Sequence, residues 1–398
     1  MSPGGRLLIG SGRLLVAQPD GAPQPGALSP WALLIRDGLI AWLGSPDDAP
    51  AVGEVDDLGS ALVTPGLIDA HTHPVFAGDR SDEAAARLAG APYSGGGIMR
   101  TVAATRAASD SELLDLTAGR LAAALGSGTT TIECKSGYGL APAEELRQLA
   151  IIGRAAQRVG MRVVRTFLGA HAVGPEVASP AEYVASVIDD MLPEAARHAE
   201  FCDVFCDEGF FDLQSTEAIL TTARSLGLGL RLHAEQLART GATELGVRLG
   251  AASVDHLERL DAAGVAALAH SRTVATLLPG PALAMGGGPL PPARELLAAG
   301  VRVALATDAN AGTWGSWSMP MAIGLGATLL GMGVDAAVRS ATFGAAQALQ
   351  LDEVCGTLRA GLAADIVAWD AEHEGAFALR MGDVRPARVW MAGIEASR

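Results

Sequence analysis

The sequence predicts an α/β fold: a (β/α)8, TIM-like barrel with a small β-sandwich domain formed from both chain ends. Three observations lead there. Between residues 65 and 354, eight short apolar runs alternate with Ala/Leu-rich segments of helical character. Glycines punctuate the helix-to-strand passages, at Gly126, Gly160, Gly227, Gly250 and Gly300. Outside that region both ends carry strand signals without a helical period. A doubly wound open sheet is the alternative, but no Gly-x-Gly-x-x-Gly turn follows any of the eight runs.

Residues 1–64 read as the N-terminal part of the composite β-domain, with strands at Leu7–Ile9, Leu14–Ala17, Leu33–Arg36 and Leu39–Leu43. Pro19-Asp20-Gly21 and Asp37-Gly38 separate them, the latter a hairpin turn because glycine tolerates positive φ. The barrel strands are expected at 67–70, 129–134, 162–168, 201–206, 230–232, 252–255, 273–278 and 301–306. Ser109-x-x-Glu112 resembles a capping box ahead of a helix over 113–125, with Gly126 as its C-terminal glycine. Residues 355–398 return to strands, at Ile366–Trp369 and Arg388–Met391, and complete the β-domain.

Composition narrows the classes of function. The chain has 398 residues, 49% hydrophobic and 18% charged, which means a large buried core. A net charge of −15 with no Lys/Arg run argues against nucleic acid or an anionic membrane surface as partner. No signal peptide is visible, and the apolar run Met319–Val334 is too short and glycine-rich for a membrane span. It reads as a buried helix, and such a segment could bury the face of a homodimer. The four cysteines, Cys134, Cys202, Cys206 and Cys355, make no disulfide framework in so long a chain, and the expected setting is cytoplasmic. Cys202 and Cys206 alternate with Phe201, Val204 and Phe205, as strand-core residues do.

A barrel of this kind carries chemistry at the C-terminal ends of its strands, and polar residues gather there. His71 and His73 follow strand one, Tyr138 strand two, His171 strand three and His233 strand five; His256 ends strand six and Asp308 follows strand eight. Five of the eight histidines thus reach one rim, while His198, His270 and His373 fall on helix ends or in a charged loop. His71-Thr72-His73 alone fits either a polar loop or a metal site. Residues i and i+2 of an extended segment face the same side, so both imidazoles can address one point, an arrangement that suits zinc or iron.

These strand-end residues, His-x-His, two later histidines and Asp308, resemble the amidohydrolase superfamily. Gly356-Thr357-Leu358-Arg359-Ala360-Gly361 and Ala364-Asp365-Ile366-Val367 are similar to its returning β-domain segment. Within it the closest resemblance is to the imidazolonepropionase family of histidine degradation. It is carried by His71–Arg80, Gly95-Gly96-Gly97-Ile98, Glu133–Leu140, Thr166–His171 and His233-Ala234-Glu235-Gln236, and spans nearly the whole chain.

The resemblance implies one transition metal, zinc or iron, held by His71, His73, His233 and Asp308. Many superfamily members hold two metals through a modified lysine after strand four, but Cys206-Asp207-Glu208-Gly209 supplies none. Lys135, after strand two, is expected to serve a salt bridge or the scaffold. The implied reaction is hydrolysis of the cyclic amide of a small anionic heterocycle, 4-imidazolone-5-propanoate, to N-formimidoyl-L-glutamate. Asp308 would move the water proton and His256 would stabilise the oxyanion. Arg80 would pair with the propionate; a surface salt bridge to Asp79 or Asp82 is its plain alternative. Tyr138, His171, Gln236, Asn310, Gly312 and Thr313 would line the pocket, although Tyr138 could be packing and Asn310 a turn former. Superfamily deaminases carry glutamate where this chain has Gln236, which cannot titrate, so a deaminase or another cyclic amidohydrolase is the second reading. A non-catalytic metal-binding or scaffold protein is the third. Ala311 stands where the family usually has proline, and Trp314 and Trp317 read as packing more than as a lid.

Overall fold

The computed structural model describes residues 5–17, 28–90, 97–286 and 288–396. Its centre is an eight-stranded parallel sheet whose spatial order follows the chain. The strands are Leu67–Asp69, Thr129–Lys135, Arg162–Ala170, Phe201–Cys206, Gly229–Ala234, Ser253–His256, Val274–Leu277 and Val303–Leu305. All eight expected runs are strands, with ends shifted by a few residues. The outer helices include Asp110–Gly126, Pro142–Val159, Leu213–Ser225, Ala242–Leu249 and Ala262–Ala269. Their apolar faces join the barrel's outer face in one core containing Leu121, Leu149, Ile152, Leu220 and Leu245.

Strands one and eight close the barrel just beyond their ends. Asp308 N–H donates to the His71 carbonyl at 3.0 Å, and His73 N–H to the Ala309 carbonyl at 3.0 Å. A parallel bridge joins Thr72 to Ala309. Asp69 reinforces this seam, accepting from Thr307 N–H at 3.0 Å and Thr307 Oγ1 at 2.6 Å. The closing hydrogen bonds therefore run between segments that also carry His71, His73 and Asp308.

Helix punctuation follows the sequence reading at four of five glycines. Gly160, Gly227, Gly250 and Gly300 all adopt positive φ between helix and strand. Gly126 does not: the helix continues through it, and Gly128, φ +95°, makes the turn. Ser109 caps this helix, accepting from Glu112 N–H at 3.2 Å. The apolar run from Met319 is helical only to Thr328, because Gly331 and Gly333 take φ +66° and +78° before a second helix, Val334–Arg339. Among the described residues no helix is long and apolar enough to cross a membrane.

Both chain ends form small sheets. Arg6–Gly10, Trp31–Arg36, Leu39–Gly44 and Glu54–Asp57 make one; Val63–Pro65, Ile366–Trp369, Pro386–Met391 and Ile394–Glu395 make the other. Val63–Pro65 pairs antiparallel with Ile366–Ala368, so the two ends share a sheet. Arg13 binds Glu374, and Arg388 reaches Asp56 at 3.1 Å, tying them further. Leu14–Ala17 is not a strand: Leu14 alone makes isolated bridges, and Ala17 turns out of extended geometry at φ +56°. Glu54–Asp57, too acidic to read as a strand, pairs in parallel with Arg6–Ile9, where Arg6 offsets its charge. The Asp37-Gly38 hairpin forms as expected, whereas Pro19-Asp20-Gly21 lies outside the described residues, as do Gly95 and Gly96.

Candidate metal centre and substrate cleft

The strand-end residues converge. His71 Nε2 and His73 Nε2 face each other at 3.3 Å, and Asp308 Oδ1 stands 3.6 and 3.4 Å from them. The His233 ring packs edge-on against His71, centroids 4.5 Å apart. All four side chains are buried. No metal is needed to see the geometry, but the donor atoms fit one. Nε2 of His233 is buried without a hydrogen-bond partner, which is costly unless something binds it. Three imidazoles and one carboxylate form a donor set suited to zinc or iron.

Electrostatics point the same way. Burial, reinforced by Lys135 and the neighbouring imidazoles, holds His71 far below the ordinary histidine range, so its ring is neutral. Burial also lowers His233, against the pull of Asp203. Burial raises Asp308, but His73 and His256 outweigh it and keep the carboxylate ionised. His256 goes the other way: burial opposes its charge, yet Glu258 and Asp308 raise its pKa. Its Nε2 is 3.9 Å from Asp308 Oδ2 and its Nδ1 3.6 Å from Glu258 Oε1.

A cleft opens over this cluster. It is lined by His73, Arg80, Ile98, Tyr138, His171, Phe205, His233, Gln236, His256, Asp308, Asn310, Gly312 and Thr313. Every site residue read from the sequence except His71 lines it, and His71 lies directly beneath. Arg80 is buried and bonds neither Asp79 nor Asp82; its partner is Glu83, while Asp82 pairs with Arg100. Asn310 spends its amide on the loop, donating to Asp308 O and Thr313 Oγ1 and accepting from Gly312 and Thr313 N–H. It forms the turn and borders the cleft. Trp314 packs on Gly280 and Trp317 on the main core, and neither lines the cleft.

Loops around the cleft are held by buried carboxylates; the sequence places Glu235 beside Gln236 but pointing elsewhere, as it does, and gives no such role to Glu145 or Asp207. Glu145 accepts from the N–H groups of Gly137, Gly139 and Leu140 at 2.9, 2.8 and 2.7 Å, fixing the turn that carries Tyr138. Asp207 does the same for the N–H groups of Gln236, Leu237 and Ala238. Glu235 turns away at φ +52° and bonds Arg239, Gly241 N–H and Thr243. Asp207 lies about thirty residues before the turn it holds and Glu145 inside the next helix, so neither is marked in the sequence as a turn partner. Ile98, in the first turn of the helix Gly97–Ala107, and Phe205, at a strand end, were also missed, since apolar residues carry no chemical signature. Lys135 is fully buried between Glu133 and Asp203, in the salt-bridge role expected of it.

Residues 62–394 match the amidohydrolase family. An imidazolonepropionase from Nocardia farcinica is 43% identical over 97% of both chains. Those of Salinispora tropica and Salinispora arenicola are 47% identical over 94% of this chain and 95% of theirs, and 48% identical over 88% of both. Among solved structures, an adenosine deaminase from Xanthomonas campestris with bound zinc superposes with a TM-score of 0.75 at 18% identity, covering 98% of this chain and 92% of that one. A triazine hydrolase variant gives 0.75 at 20% identity, over 98% and 94%; these two likenesses speak for the fold alone. The chain belongs to the amidohydrolase family and, within it, to the imidazolonepropionases.

Proposed function

We propose that this chain hydrolyses 4-imidazolone-5-propanoate to N-formimidoyl-L-glutamate in histidine catabolism, with one transition metal, zinc or iron, held by His71, His73, His233 and Asp308. The observation that carries the reading is the shared cleft: a buried arginine, Arg80, and the histidine–aspartate cluster line the same opening. That suits a small molecule with a carboxylate at one end and a hydrolysable ring at the other.

A metal held there supplies Lewis acidity, easing deprotonation of water and polarising the ring carbonyl. Ionised Asp308 takes a proton from the attacking water as its oxygen joins the carbonyl carbon. Asp308 then returns that proton to the ring nitrogen as the C–N bond breaks. Protonated His256, with Glu258 behind it, donates to the developing oxyanion. Arg80 grips the propionate, Tyr138 and His171 flank the ring, and Gln236 addresses its nitrogens. Asn310, Gly312 and Thr313 shape the wall near Arg80.

Deamination is set aside because Gln236 cannot shuttle protons and the neighbouring Glu235 carboxylate is tied to its own loop. Four buried, unpaired cysteines suit a reducing, cytoplasmic setting. Residues 65–354 serve as the catalytic barrel, and 1–64 with 355–398 as a composite β-domain supporting it. The test is loss of imidazolonepropionate absorbance with purified, metal-loaded protein. Turnover at ordinary enzyme rates is expected; no turnover with full metal content defeats the proposal. Elemental analysis of the protein as isolated decides zinc against iron.

A further inference from the structure

Beneath the cluster lie five buried charged residues that never reach the cleft. Asp255 Oδ2 stands 2.7 Å from His71 Nδ1 and accepts from Arg231 Nη2 at 3.0 Å. Arg231 is fully buried and also donates to the Ala70 carbonyl at 2.7 Å and the Ala348 carbonyl at 3.0 Å. On the other side, Asp203 Oδ2 is 3.1 Å from His233 Nδ1 and 2.8 Å from Lys135 Nζ. Lys135 Nζ is also 2.8 Å from Glu133 Oε1.

Ion pairs this deep are a poor choice for stability alone. Well-packed apolar side chains serve as well or better, because desolvating both charges is expensive. The two pairs have something in common that packing does not require: each presents its carboxylate to the far nitrogen of a cluster histidine. An ionised carboxylate only accepts, so the His71 nitrogen facing Asp255 carries the proton and the lone pair is left on Nε2. That is the nitrogen facing His73 Nε2 and Asp308. The trio His71, Asp203 and Asp255 also brings ligand-type atoms within 4.8 Å of one another. Its two carboxylates already carry Arg231 and Lys135, so the positive charge it calls for is supplied by the chain.

We propose that Arg231–Asp255 and Lys135–Asp203 are positioning pairs. They fix the ring orientation and the protonated nitrogen of His71 and His233, so that both Nε2 lone pairs converge on the metal. The proposal rests on the ligand assignment above. Arg231 and Lys135 hold each carboxylate in place without touching metal or substrate.

The test is zinc affinity, measured on the full-length protein stripped of metal, by competition with a chromophoric chelator. Thermal unfolding of the metal-free protein is followed in parallel. Asp255→Asn is expected to weaken zinc binding about 10- to 100-fold, and to destabilise the metal-free fold by leaving Arg231 uncompensated. Asp255→Asn combined with Arg231→Gln should recover the melting temperature while zinc binding stays weak. Asp203→Asn alone tests His233, because Lys135 keeps Glu133 as its partner and no buried charge is left unpaired: zinc binding should weaken while the metal-free melting temperature changes little. A folded double variant with wild-type zinc affinity overturns the proposal. Wild-type protein that binds no zinc overturns the ligand assignment instead.

Discussion

Glu83 accepts from Nε and Nη2 of Arg80 at 3.0 and 2.8 Å, across one turn at the start of the helix Ser81–Leu88. One edge of the guanidinium is thereby held, and the Nη1 end is left toward Gly312. Arg80→Ala is expected to raise KM for the anionic substrate about 10- to 100-fold with a smaller change in kcat. This is the loss of one charge-assisted, bidentate contact of roughly 1.5–3 kcal/mol. Arg80→Lys should not restore it, because an ammonium cannot present the fork. An unchanged KM would remove Arg80 from the site.

The guanidinium sits in a slot made by two glycines. A Cβ on Gly312 would lie 2.4 Å from Arg80 Nη1, and one on Gly97 1.9 Å from Nη2. Gly312→Ala should therefore displace Arg80 and raise KM about tenfold, at a cost of roughly 1.4 kcal/mol, while thermal stability changes little. Steady-state kinetics alongside a melting curve would check this; a KM within error of wild type would mean that Arg80 has room to move.

Asp308→Ala should lower kcat by at least about 10²–10⁴-fold, since it removes the proposed proton acceptor and metal ligand together. Circular dichroism should show the barrel intact. Asp308 adopts φ +48°, a region asparagine tolerates better than alanine. Asp308→Asn should therefore be equally inactive but melt higher than Asp308→Ala. Exhaustive chelation should abolish wild-type activity and added zinc or iron restore it; activity that survives verified metal loss would contradict the mechanism.

A fourth expectation concerns the joined chain ends. Burial works against ionisation of Glu374, but hydrogen bonds from Arg13 keep its carboxyl below the ordinary glutamate range. A lowered folded-state pKa adds stability that is present above the unfolded value, about 4.5, and lost as pH falls through the folded one. Glu374→Gln should thus lower the unfolding free energy at pH 7 by about 1 kcal/mol. The gap to wild type should shrink below pH 4. A gap independent of pH would assign the effect to packing.

The rim was legible in the sequence because a parallel barrel sends the residues just after its strands to one face. His71, His73, His171, His233 and Asp308 needed only a strand count to be grouped. Asp203, Arg231 and Asp255 were not legible, because each lies inside a strand and its partner is distant in sequence. A charge in an apolar strand says that a partner exists and not which one. Their signal was the interruption itself, as in Leu230-Arg231-Leu232 and Val254-Asp255-His256. In the β-domain, Glu54–Asp57 was hidden because its pairing depends on Arg6, far upstream, and Leu14–Ala17 was over-read because apolar composition does not reveal a backbone turn at Ala17.

The seam between strands one and eight has a consequence for how the protein is made. His71 and His73 emerge early in synthesis and His233 much later, yet none of them has its full setting until Asp308 and Ala309 dock against residues 71–73. A pairing that spans so much of the chain belongs late in folding, since the intervening loop must be ordered before the contact repays it. A growing chain that has not reached strand eight therefore holds His71 and His73 on an open edge, and Asp308 joins them in the same event that shuts the barrel.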